Sequence, residues 1–379
     1  MKSKHIGKIP LCIPDIGPEE FKAVNSVLKS GWLTHGPKTT EFEEIFAEYI
    51  GVKHAVAMNS CTSALFLSLI ANGIKGDVLV PSFTFVASAN AIVTAGLNPV
   101  FVDINYHDCN VNPDVLEEYI TANTEAIMIV HFAGQCCDMD KINTFVKKHG
   151  ILLVEDSAET IGGTFKGKMS GSWGTGCFSF FPTKNITTGE GGMLTTNDDE
   201  FAHKVRTLIA HGIEKSTLER QRGDYPWHRV ATMSGFNFRL SNVLAAVGVE
   251  QMKKLDKMNE ARRGNSEYLI DKLKHIEEID LPVRNIDCHH VYQMFTIKLN
   301  KGDRDSMVLW LRENGIEASV HFTPPVHHHP AFRKYRDNYL PVTENIAKSI
   351  LTLPMFPGLT PKELDYISEI IEKYIVNNE

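Results

Sequence analysis

Short apolar and β-branched runs recur through the first half of the chain, with helical patterns between them. Strand-sized runs that alternate with helices are typical of a mostly parallel sheet covered on both faces. We predict strands at residues 54–58, 77–80, 99–102, 126–130, 151–155, 177–181 and 193–196. Helices are predicted in the connections, one beginning at Asn112 and Pro113 and another over residues 140–148.

The pattern changes near residue 240. Long helices are predicted at 241–255 and 259–275, followed by a strand, a helix, a strand and a closing helix at 292–299, 304–314, 318–321 and 361–376. We therefore expect two domains, a large one over residues 1–250 and a smaller α/β domain over residues 251–379.

Composition narrows the class of protein. The 379 residues carry 39 Lys and Arg against 46 Asp and Glu, a formal net charge of −7, so generic binding to nucleic acid is not expected. No apolar run approaches the ~20 residues that span a bilayer, and no signal-peptide core follows the basic N-terminus. Seven cysteines without a CxxC pair argue against a disulfide framework. We expect a cytoplasmic protein with no membrane partner.

The segment 59–65, Asn-Ser-Cys-Thr-Ser-Ala-Leu, follows one predicted strand and opens a helix. Unpaired backbone N–H groups and hydroxyls at a helix start form an anion site. Simple N-capping by Ser or Thr explains the same residues, and this motif alone does not separate the two.

Asp156 stands at the carboxyl end of another predicted strand. In open α/β sheets ligands bind outside those ends. A carboxylate there suits a metal ligand, a base or the partner of a cationic ring nitrogen, and a helix N-cap is the structural alternative.

Lys184 follows an aromatic strand and lies in a turn of Thr, Asn and Gly residues. A lysine in a partly desolvated pocket loses its proton more easily and can form a Schiff base, whereas a lysine extended at a strand end has no such role. The pair Gly191 and Gly192 permits a close backbone approach.

Taken together, these three motifs are more specific than any one of them. An anion cradle, an aspartate and a Schiff-base lysine on one sheet describe a site for pyridoxal phosphate (PLP). The aspartate keeps the pyridine nitrogen protonated so that the ring accepts electrons, and the lysine holds the aldehyde.

The chain resembles the nucleotide-sugar aminotransferases of the DegT/StrS type, within the fold-type-I PLP enzymes. The markers are segments 30–34, 36–37, 42–43, 59–65, 81–87, 155–156, 178–192, 235–240 and 353–357, which extend over nearly the whole chain. The resemblance implies an aspartate aminotransferase-like fold, a large domain with a mostly parallel, helix-covered seven-stranded sheet and a smaller α/β C-terminal domain.

The resemblance also assigns site residues. It makes Lys184 the Schiff-base lysine and Asp156 the pyridinium partner, and it gives cofactor contacts to Thr62, Ser63, Phe85, Glu159, Ser179 and Asn237. Phe85 is expected to stack on the ring, and Asn237 to reach the cofactor phosphate of the other subunit, which implies a homodimer with shared active sites. Thr34, His321 and His327 are expected near the substrate.

Two positions depart from the family pattern. Glu159 stands where many members have Gln or His beside the ring hydroxyl. Because an ionised carboxylate would repel a phenolate, we expect Glu159 to be protonated or turned away. Cys61 replaces a glycine that is common in the turn.

No metal site is predicted. His327, His328 and His329 are consecutive in a Pro-rich loop, which defines no coordination geometry, and the sequence shows no acidic partner for them. Arg220, Arg222 and Arg229 suit either a substrate diphosphate or a solvated loop.

The function implied by the resemblance is transamination of a nucleotide-linked keto sugar, a 4-keto-6-deoxy sugar, with L-glutamate as amino donor. Lys184 argues against the 3-dehydratases of the family, which have His there. The alternatives are an aminotransferase on a cyclitol-type ketone and a PLP-binding regulator without turnover. An NAD-dependent enzyme lacks support because no GxGxxG opens a helix after a strand.

Overall fold

A seven-stranded sheet forms the centre of the large domain in a computed structural model that describes residues 7–214, 227–335 and 339–377. Its strands are β1 (His54–Met58), β2 (Asp77–Pro81), β3 (Asn98–Val102), β4 (Thr124–Val130), β5 (Leu152–Asp156), β8 (Thr175–Ser179) and β9 (Gly192–Thr196). Their order is β1-β9-β8-β5-β4-β2-β3, and only β9 runs antiparallel to its neighbours. The predicted mostly parallel sheet is confirmed.

Helices cover both faces of this sheet. They are α1 (Pro18–Ser30), α2 (Pro37–Ile50), α3 (Cys61–Ile70), α4 (Val86–Thr94), α5 (Met139–His149), α6 (Asp199–Leu208) and α7 (Asn242–Leu273). Successive residues of β4 point to opposite faces, so Ala126 and Met128 join one apolar cluster while Ile127 and Ile129 join another. A strand buried on both faces explains why its sequence is continuously apolar.

A small sheet, β10-β12-β13, forms the C-terminal unit. Its elements are β10 (Ile279–Asp280), β12 (Phe295–Leu299), α8 (Arg304–Glu313), α9 (Pro341–Ser349), β13 (Ile350–Leu353) and α10 (Pro361–Asn377). The remaining sheet joins β11 (Cys288–His289) to β6 (Thr164–Phe165) and β7 (Lys168–Met169), and thereby links the two halves of the chain.

Several element predictions need correction. The helix expected after Pro113 is only a 3₁₀ turn at Leu116–Glu118, because Asn112 and Thr121 accept nearby backbone N–H groups and close tight turns on either side. The strand expected at 318–321 is an isolated bridge between Ser319 and Thr352.

The two long helices predicted at 241–255 and 259–275 form a single helix, α7. Helix α7 runs unbroken for 32 residues, so the domain boundary placed at residue 250 falls inside a helix and stays a prediction. Within the described ranges, no helix is both long and apolar enough to cross a membrane.

Candidate active site

A cavity of about 530 Å³ opens where β5 and β8 end and α3 begins. Seven of the residues proposed from the sequence line it: Thr62, Phe85, Asp156, Glu159, Ser179, Lys184 and His321. Segments far apart in the chain therefore meet at the carboxyl edge of the sheet, where ligands of α/β proteins bind.

Asp156 ends β5 with its carboxylate buried at the cavity wall. The Ser88 hydroxyl donates to Oδ2 at 2.8 Å, and the Ala158 N–H donates to Oδ1 at 3.2 Å. The Thr84 hydroxyl lies 2.9 Å from that of Ser88, which gives a buried chain of three polar side chains. Burial raises the pKa of Asp156, while the Ser88 hydrogen bond opposes that rise. A cation placed beside this carboxylate stabilises its charged form.

The start of α3 offers the anion site predicted from segment 59–65. Ser60 caps the helix by accepting the Ser63 N–H at 3.1 Å, and its carbonyl accepts the Ala64 N–H. The first two residues of the helix, Cys61 and Thr62, then have no acceptor for their N–H groups within the helix. Both residues line the cavity, so these groups and the helix dipole favour a bound anion there.

Gly192 lets β9 approach this helix start. A Cβ atom at Gly192 would lie 2.3 Å from the carbonyl carbon of Ser60, a distance that no side chain tolerates. The close backbone approach expected of the glycine pair is therefore present, and it sets the start of α3 against the strand that follows the lysine turn.

The side chains of Lys184 and Glu159 form an ion pair at the cavity wall. Lys184 Nζ lies 3.5 Å from Glu159 Oε1, with the lysine side chain 16% exposed. Glu159 Oε2 accepts the N–H of Ala133 at 2.9 Å. Glu159 is thus held at the cavity wall and does not turn away, in contrast to one of the two expectations for it.

These observations fit PLP. The cavity combines an anion-binding helix start, a buried carboxylate and a lysine amine, which match the phosphate, the ring nitrogen and the aldehyde of the cofactor. The exposed ring of Phe85 lies at the same wall.

Comparison with known proteins identifies the family. The model of the DegT/DnrJ/EryC1/StrS aminotransferase family matches residues 14–372. The chain belongs to this aminotransferase family. It is 38% identical to the spore coat polysaccharide biosynthesis protein SpsC of Bacillus subtilis, over 97% of each chain. It is 37% identical to the GDP-perosamine synthase of Caulobacter vibrioides, over 97% of this chain and 99% of that one.

A solved family structure has the same fold. The putative sugar aminotransferase Spr1654 from Streptococcus pneumoniae, in its PLP form, superposes with a TM-score of 0.89 at 28% identity, covering 97% of this chain and 99% of that one. The predicted aminotransferase fold and enzyme class are confirmed, in a family of PLP-dependent sugar aminotransferases.

Four residues that the family pattern suggested lie outside the cavity lining. Ser63 points into the helix cap, with its hydroxyl 2.8 Å from Asn59 Oδ1. Thr34 and Asn237 are exposed on the surface of the chain. His327 is buried behind β2, where Ser82 contacts its ring. Arg220 and Arg222 lie outside the described residues, and Arg229 is exposed.

Sequence reasoning missed Ser88, Thr84 and Gln293. Thr84 precedes the N-cap residue Phe85 of α4 and Ser88 lies in the first turn, so the contact between their hydroxyls spans the start of the helix. Gln293 lines the cavity and donates to the Thr183 carbonyl at 2.8 Å, a contact across 110 residues that no local pattern indicates.

Proposed function

We propose that this aminotransferase transfers the amino group of L-glutamate to a nucleotide-linked 4-keto-6-deoxy sugar, with PLP held by Lys184 and Asp156. The observation that carries the proposal is one cavity in which a helix start, a buried carboxylate and a lysine meet. Two relatives, a spore coat polysaccharide biosynthesis protein and a GDP-perosamine synthase, support a sugar nucleotide as acceptor.

Bound PLP supplies an aldehyde that bonds to amines and a ring that accepts electrons. Lys184 Nζ holds that aldehyde and, when released from it, takes up and returns a proton at the substrate carbon. Asp156, steadied by Ser88 and Ala158, holds the ring nitrogen in its protonated form. Thr62, Ser179 and the N–H groups at the start of α3 bind the phosphate.

Glu159 positions the lysine amine in this arrangement. Its carboxylate lies 3.5 Å from Lys184 Nζ, and the Ala133 N–H fixes its other oxygen. These contacts fix the position of the Lys184 amine at the cavity wall.

His321 is the substrate-facing residue in this proposal. It lines the cavity, and its Nδ1 lies 2.8 Å from the hydroxyl of Thr352. Burial lowers its pKa, although the nearby Glu159 carboxylate opposes that effect. A neutral imidazole at this wall suits a hydrogen bond to a sugar hydroxyl.

A homodimer completes the proposed site. Asn237 and Thr34 are exposed and do not line the cavity of their own chain. Placed at the cavity of a second copy, Asn237 adds an amide donor to the phosphate site. Cross-subunit complementation of a Lys184→Ala chain by an Asn237→Ala chain tests this arrangement.

The test of the function uses PLP-loaded protein, L-glutamate and a panel of UDP-, dTDP- and GDP-linked 4-keto-6-deoxy sugars. We expect the mass of an amino sugar nucleotide with at least one of them, and none with Lys184→Ala. Cofactor binding without amine transfer to any member of the panel would contradict the proposal.

A further inference from the structure

Two imidazoles and a carboxylate cluster outside the cavity, beyond the carboxyl ends of β2 and β3. His327 and His328 lie in a 3₁₀ turn at Val326–His328, and Glu344 lies in the first turn of α9. One ring nitrogen of each histidine and one carboxylate oxygen all lie within 4.8 Å of one another. The acidic partner that the sequence did not show is therefore Glu344.

The two nitrogen–oxygen distances in this cluster match those between ligands on one metal ion. Glu344 Oε1 lies 3.4 Å from His327 Nε2 and 3.5 Å from His328 Nε2. Both distances exceed the common range of about 2.7–3.2 Å for N–H···O hydrogen bonds, and the His327 contact has the geometry of a long one. Two ligand atoms bound tetrahedrally to Zn²⁺ at about 2.0–2.1 Å lie about 3.4 Å apart.

The two elements that bear the cluster, the 3₁₀ turn and α9, are held by the adjacent ends of β2 and β3. Ser82 directly follows β2, lies 2.5 Å from His327 Nδ1 through its hydroxyl, and accepts the His327 N–H at 3.0 Å. Asp103 directly follows β3 and accepts the Val342 and Thr343 N–H groups at the start of α9. Since β2 and β3 are paired up to their last residues, the 3₁₀ turn and α9 are both attached to the same edge of the sheet.

Such support is typical of metal sites. A ligating histidine usually has its second ring nitrogen held by a hydrogen bond, which fixes the ring and the tautomer. When His327 Nδ1–H donates to Ser82, its Nε2 presents a lone pair toward Glu344 and is able to bind a cation. In the other tautomer Nε2–H donates to Glu344 at 3.4 Å, and the cation takes the place of that proton.

We propose that His327, His328 and Glu344 bind a divalent cation of the Zn²⁺ class. Two nitrogen ligands and one oxygen ligand favour Zn²⁺ over Mg²⁺ or Ca²⁺, which prefer oxygen. His327 is buried, whereas the side chains of His328 and Glu344 are 27% and 23% exposed, so an ion can enter and keep a water as fourth ligand. The ion braces the 3₁₀ turn against α9, apart from the Lys184 cavity.

The test uses PLP-loaded protein prepared without a histidine tag and titrated with Zn²⁺ by calorimetry. We expect one Zn²⁺ per chain and a melting temperature that rises with Zn²⁺ concentration. His328→Ala and Glu344→Gln should each weaken Zn²⁺ binding at least tenfold. His329→Ala is the matched control, because His329 belongs to the same run but contacts the Pro324 carbonyl instead.

Three results would overturn the proposal: no saturable Zn²⁺ binding, unchanged affinity in both cluster variants, or an equal loss in His329→Ala. The absorption spectrum of Co²⁺ added to the parent protein is a second test, and it needs no variant. Strong visible bands of four-coordinate Co²⁺ support the site, and a spectrum like that of aqueous Co²⁺ contradicts it.

Discussion

Glu155 and Asp156 are adjacent carboxylates at the end of β5, both buried, yet their surroundings differ. They point to opposite faces of the sheet because side chains alternate along a strand. Glu155 accepts four N–H groups, from His131 Nε2 at 3.1 Å and from the backbones of Gly171, Trp173 and Gly174 at 2.7–2.8 Å. Asp156 accepts two donors and faces the cavity.

The difference separates a structural carboxylate from a functional one. The Glu155 oxygens are saturated with donors, so this residue ties the turn before β8 to the sheet and has no capacity left for a ligand. Asp156 keeps lone pairs for a ligand and has its pKa raised by burial, which is the state of a group awaiting a cationic partner. Burial alone does not distinguish the two residues, whereas counting donors does.

The largest effect is expected for Asp156→Asn. An amide cannot balance the charge of a protonated ring nitrogen, so we expect kcat to fall about a hundredfold or more, equivalent to the ~3 kcal/mol lost with one preorganised polar contact. Steady-state kinetics with saturating PLP measure this, and circular dichroism controls for folding. A kcat within threefold of the parent would contradict the role of Asp156.

Glu155→Gln should act on stability instead. Whichever Glu155 oxygen becomes NH₂, the new group faces two N–H donors and accepts from neither. This lowers the free energy of unfolding by about 3 kcal/mol. Urea denaturation measures the loss, with the exposed Glu118→Gln as matched control. An unchanged unfolding free energy would show that the donors around Glu155 are not needed.

Ser88→Ala should reduce kcat about tenfold, because a hydrogen bond to a charged group contributes about 1.5 kcal/mol. The absorption spectrum of the bound cofactor as a function of pH should also shift, since Asp156 loses a donor that favours its charged form. Ser68→Ala is the control, a buried serine whose hydroxyl donates to the Leu65 carbonyl. Equal effects of the two variants would remove Ser88 from the site.

The smallest effect concerns the cofactor-free protein. Burial raises the pKa of Asp156 above its ordinary value of 3.8, so the stability it contributes is complete below that value and is lost as pH rises through the folded-state pKa. Asp156→Asn does not titrate and should be about 1 kcal/mol more stable than the parent at neutral pH. Urea midpoints compared from neutral pH down to about pH 4 should converge, and a constant difference would contradict this account.

The sequence predicts those residues of the site that belong to a local pattern. Lys184, Asp156 and the start of α3 each follow a predicted strand, and strand ends of one parallel sheet meet at one edge. Ser88 and Glu344 are different, because their roles depend on which strands are neighbours. The pairing of β2 with β3 and β4 sets those positions, and no local pattern encodes it.

The two errors in helix prediction have different physical causes. The expected helix after Pro113 has the right apolar spacing, yet turns closed by Asn112 and Thr121 limit it to one turn. The uninterrupted α7 shows the converse, since packing against α1, α2 and α10 carries the helix through residues 256–258, which lie between the two predicted helices.

Borohydride reduction of the PLP-loaded protein, followed by peptide mass mapping, tests the central claim most directly. Reduction fixes the cofactor permanently to whichever amine holds it. We predict that the phosphopyridoxyl group is found on Lys184 and is absent after Lys184→Ala. A label on another lysine, or no label on protein that has bound PLP, would contradict the account.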